Sequence, residues 1–577
     1  MSAPAFEAKS RAAVYEAIAM RRDIRRGFTM EPIDDAALQR ILVAAHQAPS
    51  VGLSQPWDFL LLRDLVQRQR IQALAARQRD VFAASLPTGR TRLFDGIKVE
   101  AILATPLNIV VTCDPTRGGP YTLGRHADPR MASFSAALAV QNLWLAARAE
   151  GIGVGWVSFF DPDELARELD LPAYLDVVAF LCVGHVEAFP IAPELALSGW
   201  ARRRPLAWAV HVETFGARRL PGGEPVSLLT ETIASIVPAS PEAMAVAEER
   251  QSMLTKPRGS LGALEDLGTR LCGMYGECPP PIPEPVAIAV FAGDHGVHAQ
   301  GVSPWPQEVT TQMVGNFLAG GAVINAFGRQ VGAEVVVVDI GVAGEVPAAP
   351  GLMGRKIAAG TADMTKGPAM TPAQVQAAIE VGIDVARDLV AQGNRLLVTG
   401  DMGIANTTAS SALISVFTGL DVAEVTGRGT GIDDAMLEHK VSVIETAMRV
   451  NAPSPQDPIG ALAGVGGFEH AGVVGYLLAA AALRTPVILD GVIACSAALV
   501  AKAVAPHAAD YWVAGHLSVE PGATAALAHL DLVPLVDLQM RLGEGSGAAL
   551  AVPFVQASAR ILREVATFDS AGVTDKE

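Results

Sequence analysis

NRLLVTGDMGIANTT, residues 394–408, decides how the larger part of this chain folds. It opens on an apolar run, turns through glycines, and ends on Asn and Thr where a helix would begin. The run is continuous rather than alternating, as in strands buried on both faces. The same pattern recurs in VAIAVFAGD (286–294), AEVVVVDIG (333–341), PVILDGV (486–492) and YWVAGH (511–516). Helical patterns separate these runs, and a smaller helical subdomain is expected over 226–275. The prediction is an α/β unit with a mostly parallel, Rossmann-like sheet, whose ligands sit at the carboxyl ends of the strands. GDHG, GDMGIANTT, DG and GH fall at those ends.

Upstream the rhythm is different. Segments 10–22 and 34–47 read as helices, the second with Asp34 as N-cap. LNIVVTCD (107–114), 151–160 and 177–186 read as strands, and 131–150 as a central helix, apolar on all sides. Without a regular βαβ alternation, this part is expected to be α+β. A chain of 577 residues exceeds one hydrophobic core. GARRLPGGEP (216–225) is the expected linker between domains at 1–215 and 226–577.

The formal net charge is −16, carried almost wholly by the second part, while the first is nearly balanced and richer in arginine. An acidic chain without a basic face argues against a nucleic-acid partner. The five cysteines form no CxxC pair, so reduced thiols and no metal are expected. The N-terminus lacks the apolar core of a signal peptide. The most apolar region, 471–501, is broken by Arg484 and Asp490, too soon for a membrane span. A cytoplasmic protein is the expectation.

Three glycine-rich segments carry the chemistry of the second part. GDMGIANTTASSA (400–412) offers Asn406, Thr407 and Thr408 at a helix start, as simple caps or as a phosphate site built from free amides and the helix dipole. TGRGTGIDD (426–434) with Lys440, and GVGGFEHAG (464–472) with Gly466 and Gly467, favour phosphate. No GxxxxGK[ST] loop occurs. In MRLGEGSGAAL (540–550) a lone carboxylate, Glu544, stands between glycines in an apolar segment. It reads as a loop residue or as a base held against flat ligands.

These motifs, with FAGDHGVHAQGVSPWPQEVTTQMVGNFLAGGAVIN (291–325), resemble the nicotinate-nucleotide–dimethylbenzimidazole phosphoribosyltransferase family over about 226–565. The resemblance implies transfer of ribose phosphate from nicotinate mononucleotide to 5,6-dimethylbenzimidazole with inversion at C1′, giving α-ribazole 5′-phosphate. It makes Glu544 the base for the imidazole proton, and puts Ser303 and Gln307 beside the benzimidazole. It gives Asp401 an assisting role near nicotinate or ribose, at a position where the family usually has Glu. Asp294 and His295 read as loop-shaping or pocket residues.

RRDIRRGF (21–28), APSVGLSQPW (48–57), GVGWVSFF (153–160) and GWARRRP (199–205), in that order, resemble the nitroreductase-like flavoprotein fold over about 10–215. Leu53, where ordinary nitroreductases tend to have Asn, and Asp23 point within it to 5,6-dimethylbenzimidazole synthase. That resemblance implies reduced FMN consumed as a substrate with O2, NAD(P)H as electron source, and a homodimer. Arg21, Arg22, Arg25, Ser50, Gly52 and Arg203 would hold the flavin, with Asp23 and Ser158 as polar groups at its ring. A fusion of the two would make dimethylbenzimidazole and then use it. The alternatives are a generic flavin nitroreductase fused to the transferase, and a non-catalytic flavin or benzimidazole sensor.

Overall fold

A computed structural model describes residues 5–223, 227–429 and 431–574. The chain separates into two compact units, Met1–Leu86 with Arg90–Arg202, and Pro87–Gly89 with Arg203–Glu577.

The first unit is built on four antiparallel strands, β1 (Trp57–Leu62), β2 (Leu107–Cys113), β3 (Ile152–Val157) and β4 (Asp176–His185), in the order β1-β2-β4-β3. Alternate residues feed opposite faces. Ile109, Val111, Leu181 and Val183 pack under the helix Met131–Ala149. Val110, Phe180 and Cys182 pack on the other side with Ile71 and Ala75 of the helix Leu65–Ser85. The helix Asp35–His46 starts at Asp34, whose carboxylate accepts from the Ala37 amide at 3.0 Å. β1 and the helix Leu65–Ser85 had no counterpart in the sequence reading.

The second unit holds a six-stranded, wholly parallel sheet. Its strands are β5 (Val286–Gly293), β6 (Ala333–Gly341), β7 (Leu352–Gly354), β8 (Leu396–Met402), β9 (Val487–Leu489) and β10 (Trp512–Ala514), ordered β10-β9-β8-β5-β6-β7. β5 and β9 are buried along their whole length, as continuous apolar runs require. A separate parallel pair, β11 (His516–Ser518) and β12 (Val536–Met540), carries the chain to the 540–550 segment.

The stretch after Arg202 is pinned to this second unit. Arg218 donates to Asp384 at 2.7 Å, and the Arg387 guanidinium lies over Trp208. Of the expected linker 216–225, residues 224 and 225 lie outside the described residues, as do 226, 575–577 and Thr430 of the glycine-rich segment. All five cysteines are free and all but Cys278 are buried. Among the described residues no helix is long and apolar enough to cross a membrane.

Candidate active site

The carboxyl ends of β8, β9 and β10 open into a cavity of about 380 Å³. Its wall includes Asp401 at the end of β8, Asn406 and Thr407 after it, Gly491 after β9, His516 beyond β10, Glu520, and Arg541–Glu544 after β12. Trp305, Val309 and Met313 close it from the side with an apolar face.

Glu544 is held there by backbone geometry. Gly543, Glu544 and Gly545 all have positive φ, +84°, +65° and +89°. A glutamate resists that conformation, so packing must impose it. Two contacts supply the packing: Gly545 N and Ala548 N donate to the buried Asp490 carboxylate at 3.2 and 2.9 Å. They anchor the start of the helix Ser546–Glu564 to the end of β9. A β-carbon on Gly545 would meet the Thr399 carbonyl at 2.9 Å, so this position admits only glycine. The Glu544 carboxyl is buried and accepts one bond, from the Ile324 amide at 3.3 Å. Burial raises it above the ordinary carboxylate range; the Ile324 bond opposes this and the Asp490 charge adds to it.

Asp401 lies near the end of β8, and its Oδ2 accepts from Asn406 Nδ2 at 3.0 Å. Asn406 begins the helix Asn406–Thr418, entered through Ala405 at φ +75°. Lys440 reaches this helix start from the helix Asp434–Asn451. Its Nζ donates to Thr407 Oγ1 at 2.8 Å and to the Gly427 carbonyl at 3.3 Å. The ammonium is buried, no carboxylate pairs with it among the described residues, and burial lowers it to about 8. A buried cation bonded only to neutral oxygens beside a helix N-terminus is a site that wants an anion. Glu520 accepts from the Gly429 amide at 2.8 Å and holds the glycine-rich segment in place.

Behind the cavity, His295 and His470 converge on one oxygen of the buried Glu469, at 2.6 and 2.8 Å, and Ser410 meets the other nitrogen of His470 at 2.8 Å. Burial alone would raise Glu469, but the two histidines hold it well below its ordinary range. Asp294 shapes the adjoining loop by accepting from the Ala343 amide at 2.7 Å.

In the first unit Asp23 clamps the arginine-rich segment onto β3. Its carboxylate accepts from the Trp156 amide at 2.9 Å and from Arg25 at 2.8 Å, and the Ile24 amide bonds Val154 O at 3.0 Å. Arg21 stacks over Trp144. Arg22 donates to the carbonyls of Ala19, Arg21 and Ile191, while its Nε is buried without a partner. Ser158 follows β3 directly and is exposed. The Ser50 hydroxyl accepts from the Gln55 amide at 3.0 Å, and Gly52 and Leu53 both have positive φ.

A family model described as Phosphoribosyltransferase matches residues 236–573. The nicotinate-nucleotide–dimethylbenzimidazole phosphoribosyltransferase of Salinispora tropica is 58% identical over 363 residues, 60% of this chain and 100% of that protein. The chain belongs to this phosphoribosyltransferase family. The enzyme of the same name from Chloroflexus aggregans is 54% identical over 352 residues, 61% of this chain and 99% of the other. The crystal structure of the Thermus thermophilus protein of that name superposes with a TM-score of 0.56 at 44% identity, covering 58% of this chain and 100% of that one. A second family model, Nitroreductase family, matches residues 18–185. The chain is thus a nitroreductase-family domain fused to a phosphoribosyltransferase domain.

Within the phosphoribosyltransferase unit the structure brings Glu544, Asp401, Asn406 and Thr407 to one cavity, with Lys440 bonded to it through Thr407. Thr408 is buried behind the helix start. Gly466 and Gly467 lead into the helix Phe468–Ala482, Gly466 against Leu462 and Gly467 against His295, rather than on the cavity wall. Ser303 accepts from the Trp305 amide at 3.3 Å, and Gln307 caps the helix Glu308–Leu318; neither lines the cavity. Trp305, Val309 and Met313 line it instead, and their spacing of four was the available signal. His516 stands in the GH pair expected at a strand end, whereas Glu520 carried no such signal. In the nitroreductase-family unit Arg21, Arg22, Asp23 and Arg25 share one segment along β3, whereas Arg203 is exposed and belongs by its contacts to the second unit.

Proposed function

We propose that this chain is a bifunctional enzyme of the cobalamin lower-ligand branch. The phosphoribosyltransferase unit moves phosphoribosyl from nicotinate mononucleotide to 5,6-dimethylbenzimidazole, giving α-ribazole 5′-phosphate and nicotinate. The observation that carries this reading is Glu544: a buried carboxylate, forced into a positive φ, facing a cavity that has at its other side a buried lysine with no carboxylate partner among the described residues. Names carried by relatives covering the whole unit support it.

The mechanism follows from placement. The substrate phosphate takes the Asn406–Thr407 helix start and the Lys440 charge, replacing solvation with fixed amides and a cation. The apolar side made by Trp305, Val309 and Met313 receives the flat benzimidazole and excludes water. As one ring nitrogen attacks C1′, positive charge builds on the ring and acidifies its remaining N–H. Glu544 removes that proton while its charge stabilises the developing cation. Its raised pKa makes it a better acceptor than an exposed glutamate.

For the first unit we propose that reduced FMN is bound as a substrate and broken down with O2 to dimethylbenzimidazole, with NAD(P)H as the ultimate electron source. The donor set fits a phosphorylated, anionic ligand: three arginines on one short segment, one with a buried, partnerless Nε, beside the Ser50–Gly52 turn. Asp23 would place a carboxylate near the ring and Ser158 would orient the ligand. The Nitroreductase family match supports a flavin reductase equally well, with flavin recycled rather than lost.

Incubation of the full chain with FMN, NADPH, O2 and nicotinate mononucleotide tests both halves. α-Ribazole 5′-phosphate should appear by mass spectrometry, equal to the FMN lost. Product from added dimethylbenzimidazole but none from FMN would leave the first unit a plain flavin reductase. Absence of product from both FMN and added dimethylbenzimidazole would overturn the reading.

A further inference from the structure

The cavity holds two carboxyl groups of different character. Asp401 is 6% exposed. Its Oδ2 takes the Asn406 bond, its Oδ1 is buried without any partner, and no lysine, arginine or histidine pairs with it among the described residues. The groups that act on it electrostatically are Asp490 from the end of β9, Glu469 from the helix Phe468–Ala482 and Glu544 from the loop after β12, beside the neutral Asn406 amide. Of the nearby imidazoles, His516 stands 3.6 Å from Asp490 without hydrogen-bonding it, and His295 and His470 both meet Glu469. The Asp401 carboxyl therefore has one neutral hydrogen bond and no cation to stabilise a charge, and shares its cavity with a second carboxyl. A carboxyl so placed keeps its proton.

We propose that Asp401 works as a neutral acid: Oδ1 carries a proton and donates a hydrogen bond to an anionic oxygen of the ligand, the carboxylate of nicotinate in the reaction proposed above. This rests on that reading of the cavity. Asp401 is then a recognition donor and Glu544 the base. The proton on Asp401 stays there through the cycle, and Glu544 takes the proton that the transfer releases, so no further base is needed. Burial, with the charges of Asp490 and Glu469, raises Asp401 well above the ordinary carboxylate range, in the same direction. An ionised Asp401 would repel the nicotinate carboxylate. A protonated one selects for it over the carboxamide of nicotinamide mononucleotide, because a donor bonds a charged oxygen more strongly than a neutral one.

The test is infrared difference spectroscopy on the full chain without ligand. The wild type at neutral pH should show the carbonyl stretch of a protonated carboxylic acid, absent in Asp401→Asn and present in Glu544→Gln. Wild type alone provides a second reading, because the band should vanish on titration to high pH. In kinetics Asp401→Asn, which keeps an N–H donor, should raise KM for nicotinate mononucleotide at least about tenfold less than Asp401→Ala does. Absence of the band at neutral pH, or equal impairment of the two variants, overturns the proposal. The band does not depend on turnover. A wild type that shows it yet forms no product from nicotinate mononucleotide and dimethylbenzimidazole would refute the substrate assignment and leave the proton in place.

Discussion

The carbonyl oxygen of Glu544 lies 2.7 Å from the point that a β-carbon on Gly400 would occupy. The loop bearing the proposed base thus rests directly on the end of β8, next to Asp401. Gly400→Ala forces backbone apart from backbone, and overpacking of this kind costs about 1–3 kcal/mol. The expected outcome is a lower Tm by calorimetry and a large loss of kcat from a displaced Glu544. An unchanged Tm and rate would show that the loop is held elsewhere.

Lys440 should make substrate affinity depend on pH. Burial lowers its ammonium to about 8, so the site loses its cation as pH rises through that value. KM for nicotinate mononucleotide should climb above about pH 8 in the wild type, and be high and flat in Lys440→Met. The sign for stability is opposite. Between about pH 8 and the ordinary lysine value the unfolded chain binds more protons than the native one, so this group's contribution to stability grows as pH rises. Urea titrations of wild type and Lys440→Met across that range check it; parallel curves would contradict it.

The acid limb of the kcat profile belongs to Glu544. Its carboxyl is raised by burial, so the ionised base is lost at a higher pH than an exposed glutamate would allow. The limb should therefore lie above the ordinary glutamate range and should disappear in Glu544→Gln. A limb at the ordinary value, or one retained in the variant, would assign it to another group.

Leu53 sits at φ +53° with its side chain 80% exposed. That conformation costs a leucine about 1–2 kcal/mol and suits asparagine, the residue ordinary nitroreductases tend to have here. Leu53→Asn should raise the melting temperature of the first unit. If the unit consumes FMN as proposed, the substitution should also shift it towards flavin turnover, read as a lower yield of dimethylbenzimidazole per FMN reduced. A stability loss would mean that packing favours the leucine by more than the backbone strain costs.

Much of the larger unit was legible because parallel strands buried on both faces leave continuous apolar runs. β5, β6, β8 and β9 each stood out, with their glycine turns at the ligand end. Glu544 was legible because a charge among glycines in an apolar segment is locally anomalous. Asp401, Asn406 and Thr407 were legible in the glycine-rich turn at the end of β8, but most of the remaining cavity wall was not, because it is assembled from distant pieces. β12 reads VDLQM and is largely exposed, so no pattern announces that it pairs with β11 and delivers Arg541–Glu544 to β8. The helix Leu65–Ser85 escaped notice for a related reason. Arginines and glutamines crowd it, and its buried face is only Arg68, Ile71 and Ala75. Ser303 and Gln307 lie on the right segment, but the helix Glu308–Leu318 turns Val309 and Met313 to the cavity instead.

The most direct test of the account is the turnover of Glu544→Gln with nicotinate mononucleotide and dimethylbenzimidazole, measured in the full chain beside the wild type. The amide keeps size and hydrogen bonding but cannot accept the proton. The account predicts that kcat falls by about 10²–10⁴-fold while KM for nicotinate mononucleotide changes little. A variant turning over at the wild-type rate would contradict it.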